Sequence, residues 1–255
     1  MIYLSKEYII YNKGWSMKLN TKLLSATVTL LLSVTPLFAA EQFPRDILNK
    51  AYHYIGGMDK YAFRAVVIDS ITAEDGTVNK YRHDATVKID RPGKLRVDVK
   101  GDTRDRSNYL NNGVYTMMDH GFGFYGQLKI PETIDGGLDF LFEKYGIKAP
   151  LAQIIYSNTH KRVKFIKSKN FGRMMVDGTE CDYIAFSNDV RDVHVWITTG
   201  DKPLVKSYSI IDKTGGYEHR INTSLYWDMN AKISDSDFIF RAPKGAEKIS
   251  VQSAN

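Results

Sequence analysis

The sequence predicts a mainly β chain of the α+β class: a strongly curved antiparallel sheet, or incomplete barrel, with an N-terminal helix and an inserted helical lid. Three observations carry this. Apolar and polar residues alternate with a period of two along most of the chain, as in Leu95, Val97 and Val99 against Arg96, Asp98 and Lys100. Turn chemistry such as Asp75-Gly76, Asp177-Gly178 and Asp201-Lys202-Pro203 separates these runs. Helical spacing breaks in at two places only.

The first is Phe43–Tyr61, where Ile47, Ala51, Tyr54 and Ile55 share one face ahead of a Gly56-Gly57 stop. Phe63, Ala65 and Val67 then open the strands, followed by Tyr81–Ile89, Leu95–Lys100, Gly113–Asp119 and Phe122–Ile130. The second interruption lies between Pro131 and Ser157. Ile134, Leu138, Leu141, Phe142 and Tyr145 fall on one helical face ending at Gly146, and Ala149-Pro150 opens a shorter helix with Leu151, Ile154 and Ile155. Strands resume over Val163–Lys169, Met174–Val176, Glu180–Ser187, Val193–Thr198, Leu204–Ile211, Tyr217–Tyr226 and Phe238–Arg241. No repeat, linker or low-complexity tract divides 41–255, which reads as a single domain.

The N-terminus sets the compartment. Residues 23–40 are free of charge, follow Lys18 and Lys22, and end in Ala39-Ala40, the pattern of a cleaved signal peptide spanning 1–40. Pro36 and the Ser and Thr residues within it argue against a membrane anchor. Met17, followed by Lys-Leu-Asn-Thr-Lys, makes a better start than Met1. The expected location is therefore periplasmic, with no membrane anchor left after cleavage. Residues 1–40 hold four lysines against one glutamate, so half of the chain's +6 charge belongs to that segment. This removes the main support for nucleic-acid binding. Cys181, the one cysteine, allows no internal disulfide and reads as a small core residue.

Little here points to chemistry. No two of the six histidines stand three or four apart, and no Gly-x-Ser-x-Gly elbow is present. Asp192 and His194 share a strand face and could contribute two metal ligands if a third came from a neighbour, but a solvated polar strand face is the favoured reading. Gly121-Phe122-Gly123-Phe124-Tyr125-Gly126 lacks the strand-to-helix setting of a phosphate loop. The reading is non-enzymatic, with no catalytic residue, metal or cofactor.

Several blocks in fixed order resemble a known family: Arg91-Pro92-Gly93-Lys94-Leu95-Arg96-Val97-Asp98, Thr133-Ile134-Asp135 through Lys144-Tyr145-Gly146, Val176-Asp177-Gly178 with Cys181-Asp182, Trp196 with Asp201-Lys202-Pro203-Leu204, and the closing run Phe238–Ala246. They look like a family of predicted periplasmic proteins of unknown function. That family is similar in turn to the LolA/LolB-like lipoprotein-carrier superfamily, in which a half-open barrel covered by helices holds acyl chains. The resemblance implies a LolA-like half-barrel over 41–255. It also implies a cavity between sheet and lid for an acyl chain, lipid or other hydrophobic small molecule. The wall residues would be Phe63, Ala65, Val67, Leu95, Val97, Val99, Tyr115 and Met117 from the sheet, with Ile134, Leu138, Leu141, Phe142 and Ile155 from the lid. A packed core would show the same pattern, and a sensor or scaffold gripping another envelope protein through the same sheet is the alternative.

Energetics state what a carrier needs. At about 0.8 kcal/mol per methylene, a roughly 16-carbon chain represents about 12 kcal/mol gross, which calls for an enclosed space of several hundred cubic ångströms. Gly136-Gly137 would weaken the lid helix by about 1 kcal/mol per glycine relative to alanine and so leave it mobile.

Overall fold

The computed structural model describes residues 43–149, 151–214 and 218–253; the expected signal segment 1–40 and the alternative start at Met17 lie outside them. Helix α1 (Pro44–Gly56) comes first. It is followed by strands β1 (Lys60–Thr72), β2 (Val78–Asp90), β3 (Lys94–Gly101), β4 (Asp105–Asn111), β5 (Val114–Asp119) and β6 (Phe124–Lys129). Helices α2 (Ile134–Tyr145), α3 (Ala152–Ile155) and α4 (Thr159–Arg162) form the insert. Strands β7 (Lys167–Val176), β8 (Thr179–Ser187), β9 (Arg191–Thr198), β10 (Val205–Asp212), β11 (His219–Asp228) and β12 (Glu247–Ile249) complete the chain.

All twelve strands join one curved, unclosed sheet in the order β12-β6-β5-β4-β3-β2-β1-β11-β10-β9-β8-β7. Two antiparallel meanders, β1–β6 and β7–β11, are joined where β1 pairs with β11 over Ala62–Ile71 and His219–Asp228. Among the described residues only β12 runs parallel to its neighbour, β6. Register aligns the apolar sides of successive strands into rows that cross the sheet. One row reads Phe63, Val87, Val97, Asn108, Met117 and Gly126; the next reads Ala65, Ala85, Val99, Arg106 and Asp119.

The two halves of the concave face are filled differently. Over β7–β9, α1 lays Ile47, Leu48, Ala51, Tyr52 and Ile55 into a packed core with Ile184, Phe186, Val195 and Ile197. Over β2–β5, the cover is α2 and the segment after it. The convex side of that same half is closed by the C-terminal segment. There a short 3-10 turn, Asp235–Phe238, buries Phe238 and anchors Asp237 to Lys88 and Asp235 to Lys94, while Phe240 packs against Tyr109 and Tyr125.

Four local expectations change. Strand β4 is not among the expected strands. Phe238–Arg241 is this 3-10 turn and an extended segment rather than a strand. Val163–Ile166 precedes β7, and the two short runs expected around it are one strand, bent by a bulge between Asn170 and Arg173 where Gly172 adopts a positive φ of 85°. Cys181 is a free, fully buried thiol whose pKa burial pushes up.

A candidate ligand cavity under the helical cover

Helix α2 is well bounded. Thr133 caps it by accepting the Gly136 N–H at 3.1 Å, and Gly146 ends it in the left-handed region at φ 65°, with the Ile147 N–H returning to the Leu141 carbonyl at 3.1 Å. Its sheet-facing stripe is Ile134, Gly137, Leu138 and Leu141. Gly137 is there for proximity: a Cβ at this position would come within 2.8 Å of both Ile130 Cδ1 and Leu110 Cδ1. One of the glycines expected to loosen the lid thus also lets the helix lie close to Ile130 and Leu110.

The cover is tied together and to the sheet by polar contacts. Arg162 makes a two-pronged contact with Asp139 at 2.8 and 2.9 Å, Tyr156 donates its hydroxyl to the same carboxylate at 2.8 Å, and the guanidinium lies 3.9 Å over the Tyr156 ring. The Arg162 contact, against the opposing effect of burial, holds the Asp139 carboxyl below the usual range. Asp135 accepts the Ser157 N–H and hydroxyl at 3.1 and 2.6 Å. Arg91, almost buried at the end of β2, reaches the Ile155 carbonyl at 2.7 Å, the Tyr61 hydroxyl oxygen at 3.0 Å and the Met58 carbonyl at 3.2 Å, with Asp135 at 3.8 Å. Burial pushes the Tyr61 phenol up to about 12 against the opposing pull of Arg91.

Beneath this cover the sheet is not filled. A partly enclosed cavity of about 200 Å³ lies between β1–β5 and the α2–α3 region. Its apolar wall comes from Val67, Ala85, Leu95, Val97, Val99, Tyr115 and Met117 on the sheet, with Leu138, Leu141, Ile147, Ala149, Leu151 and Ile155 above. Val67, Val97, Val99 and Met117 are only partly buried because they face this space. His83, Arg104, Arg106, Asn108 and Lys148 complete the lining.

Nine of the thirteen wall residues expected from sequence thus meet around one space, and four do not. Phe63 is buried between the Tyr61 and Trp227 rings, with centroids at 6.3 and 5.0 Å. Ala65 and Ile134 are buried in the packed core beside the void. Phe142 is 55% exposed. At about 100° per residue it sits roughly 80° around the helix from Ile134, on the margin of the stripe and facing out. The residues not foreseen are His83, Ala85, Arg106 and Asn108 on the strands, Arg104 in the β3–β4 turn, and Ile147, Lys148, Ala149 and Leu151 after α2. The Tyr81-His83-Ala85-Val87-Ile89 alternation was the available signal for His83 and Ala85.

The polar lining clusters toward the turn between β3 and β4. Arg106 pairs with Asp119 at 2.8 Å, and although burial opposes it, that contact with the Phe122 and Gly121 N–H groups keeps the Asp119 carboxyl below the usual range. Asn108 accepts the Tyr115 hydroxyl at 2.8 Å, and burial pushes that phenol up to about 12. His83 is 6% exposed and its Nδ1 has no hydrogen-bond partner among the described residues; burial, then the nearby Arg104 charge, lowers its pKa. Asp192 and His194, the possible metal pair, are engaged elsewhere: Asp192 with Ser187 and Lys213 at 2.5 and 2.9 Å, His194 with the Tyr183 hydroxyl at 2.8 Å.

The family model described as "Predicted periplasmic protein (DUF2092)" matches residues 45–252. The chain belongs to this family. Membership places the DUF2092 chain in the periplasm, and among the described residues no helix is long and apolar enough to cross a membrane. No curated protein matches it. Among solved structures it is similar to an uncharacterized conserved protein from Thermus thermophilus, at 9% identity over 81% of this chain and 98% of that one, with a TM-score of 0.47. It is also similar to a LolA superfamily protein from Nitrosomonas europaea (12%, 78% and 98%, TM-score 0.35) and to the lipoprotein LppX of Mycobacterium tuberculosis (10%, 75% and 98%, TM-score 0.43). Likenesses this loose bear on neither ligand nor activity.

Proposed function

We propose that this periplasmic protein is a non-enzymatic binder of a hydrophobic ligand, an acyl chain or lipid tail, held between the sheet and its helical cover. The observation that carries this reading is the cavity itself, a space walled by apolar side chains from strands and cover together. Its volume refines the expectation. About 200 Å³ is less than the several hundred expected for a whole chain. At about 30 Å³ per water-sized group it accepts six or seven such groups, and a matching number of methylenes gives about 5 kcal/mol gross. The closed form therefore grips a chain end, and deeper insertion needs the cover to lift.

Native mass spectrometry of protein taken from its own periplasm tests this. Lipid adducts are expected on the wild type and absent from Leu141→Asp, which puts a charge on the cavity roof. Because that variant can fail to fold, Val99→Phe provides a second test by filling the space from the sheet side. A clean apo mass for the wild type, or adducts undiminished in folded Val99→Phe, overturns the reading.

A second reading, a sensor or scaffold gripping another envelope protein, has its own observation. Strand β7 is an unpaired edge of the sheet; Phe171 and Met174 on it are exposed beside the stacked Tyr183 and Trp196 rings, and Met175 is exposed on the opposite face. A stoichiometric partner cross-linked at Met175 would favour it.

A further inference from the structure

The charge at the cavity is one-sided. Its lining contains Arg104, Arg106, Lys148 and His83 and no carboxylate. Arg106 is neutralised by Asp119. Arg104 and Lys148 are exposed and hold no ion-pair partner among the described residues, whereas Arg64, Arg82, Arg91, Arg96, Arg162 and Arg173 each engage an acid. Of the nearby acids, Asp69 is paired with His219 at 2.6 Å, and Asp102 is exposed and keeps its charge. Asp102 accepts the Arg82 N–H at 2.8 Å, and Asp105 stands opposite Lys100 in a row that alternates with the Val99–Arg106 row and so faces the other side of the sheet.

The arrangement also has direction. His83 and Gly101 occupy one end of the concave rows, next to the β3–β4 turn that carries Arg104. Leu95, Leu110 and Tyr115 occupy the other end, beneath α2. The buried His83 Nδ1 without a partner lies on the cationic end. An apolar pocket with the unpaired cations Arg104 and Lys148 in its lining matches a molecule with a greasy tail and an anionic head.

We infer that the ligand is a single-tailed anionic amphiphile, its acyl chain in the cavity and its carboxylate or phosphate head held by Arg104 and Lys148. This rests on the hydrophobic-ligand reading above and adds the head group to it.

Isothermal titration of the full chain with decanoate, decanol and decyltrimethylammonium separates the two claims, because the tails match and only the heads differ. Decanoate is expected to bind about fivefold or more tightly than decanol, decyltrimethylammonium more weakly than either, and the decanoate advantage to shrink in high salt. In an Arg104→Gln/Lys148→Gln double variant the decanoate-to-decanol ratio should fall to near one, while Lys244→Gln, a remote exposed charge, keeps it. Decyl phosphate in the same series identifies the head: whichever anion binds tighter names the source of the charge, and either satisfies the inference. Equal affinity for decanoate and decanol in the wild type, or a ratio unchanged in the double variant, overturns the anionic head group and leaves the cavity reading standing. Binding of none of the ligands overturns the cavity reading and this inference with it.

Discussion

Arg91→Leu is expected to loosen the cover more than any exposed charge removal could. The side chain is 10% exposed and joins four partners from three parts of the chain: Met58, Tyr61, Asp135 and Ile155. Leucine retains apolar bulk but leaves the Met58 and Ile155 carbonyls without their donor. Breaking a buried pair by removing one partner costs about 3–5 kcal/mol. Here Asp135 keeps the Ser157 N–H and hydroxyl, so the lower end, about 3 kcal/mol, applies. For a domain of this size each kcal/mol moves the melting temperature by about 2–4 °C, which gives a drop of about 6–12 °C. Thermal unfolding followed by circular dichroism measures it, and hydrogen exchange should show protection lost first over residues 152–157. Arg220→Gln, which breaks an exposed pair with Glu218, serves as control and should stay within about 0.5 kcal/mol. An Arg91→Leu protein melting within about 2 °C of the wild type would refute the reasoning and mean that apolar contact alone holds the cover.

Gly137→Ala should destabilise, although helix propensity alone favours alanine by about 1 kcal/mol, because the new methyl meets Ile130 and Leu110 at 2.8 Å; chemical denaturation reads the sign. Leu141→Ala is expected to cost about 2–3 kcal/mol, low in the range for a buried leucine because it already borders a void, whereas Phe142→Ala should change little. Stability should fall as the pH drops below about 6.5: burial and Arg104 lower the His83 pKa against Asp69 and Asp102, so the unfolded chain binds a proton that the folded chain refuses. His194, also lowered by burial, adds to the same slope, and His83→Gln should flatten part of it in unfolding curves taken between about pH 5 and 7.

The strands legible in the sequence were those with one apolar and one charged side, such as β3, where alternation directly reports burial. β4 was missed because Asp-Arg-Ser-Asn-Tyr-Leu-Asn carries Arg106 and Asn108 on its concave side, where both line the cavity. Helix α2 was legible from its stripe and glycine stop, but the same stripe overreached to Phe142, since periodicity marks a face without marking its edge. Phe238-Ile239-Phe240 has the composition of a strand. It folds otherwise because Lys88 and Lys94, far away in sequence, draw Asp237 and Asp235 onto the sheet. Arg91 offered no local signal at all: its partners come from the α1–β1 loop, β1, α2 and α3, and only the fold brings them to one guanidinium.

The seam between β1 and β11 joins segments that leave the ribosome far apart in time. Until His219–Asp228 arrives, one flank of β1 carries unmatched backbone donors and acceptors along Val66-Val67-Ile68, a stretch suited to pairing with any extended neighbour. A chain cut short before residue 219 would leave that flank of β1 exposed, so truncation there is expected to yield an aggregation-prone half-sheet.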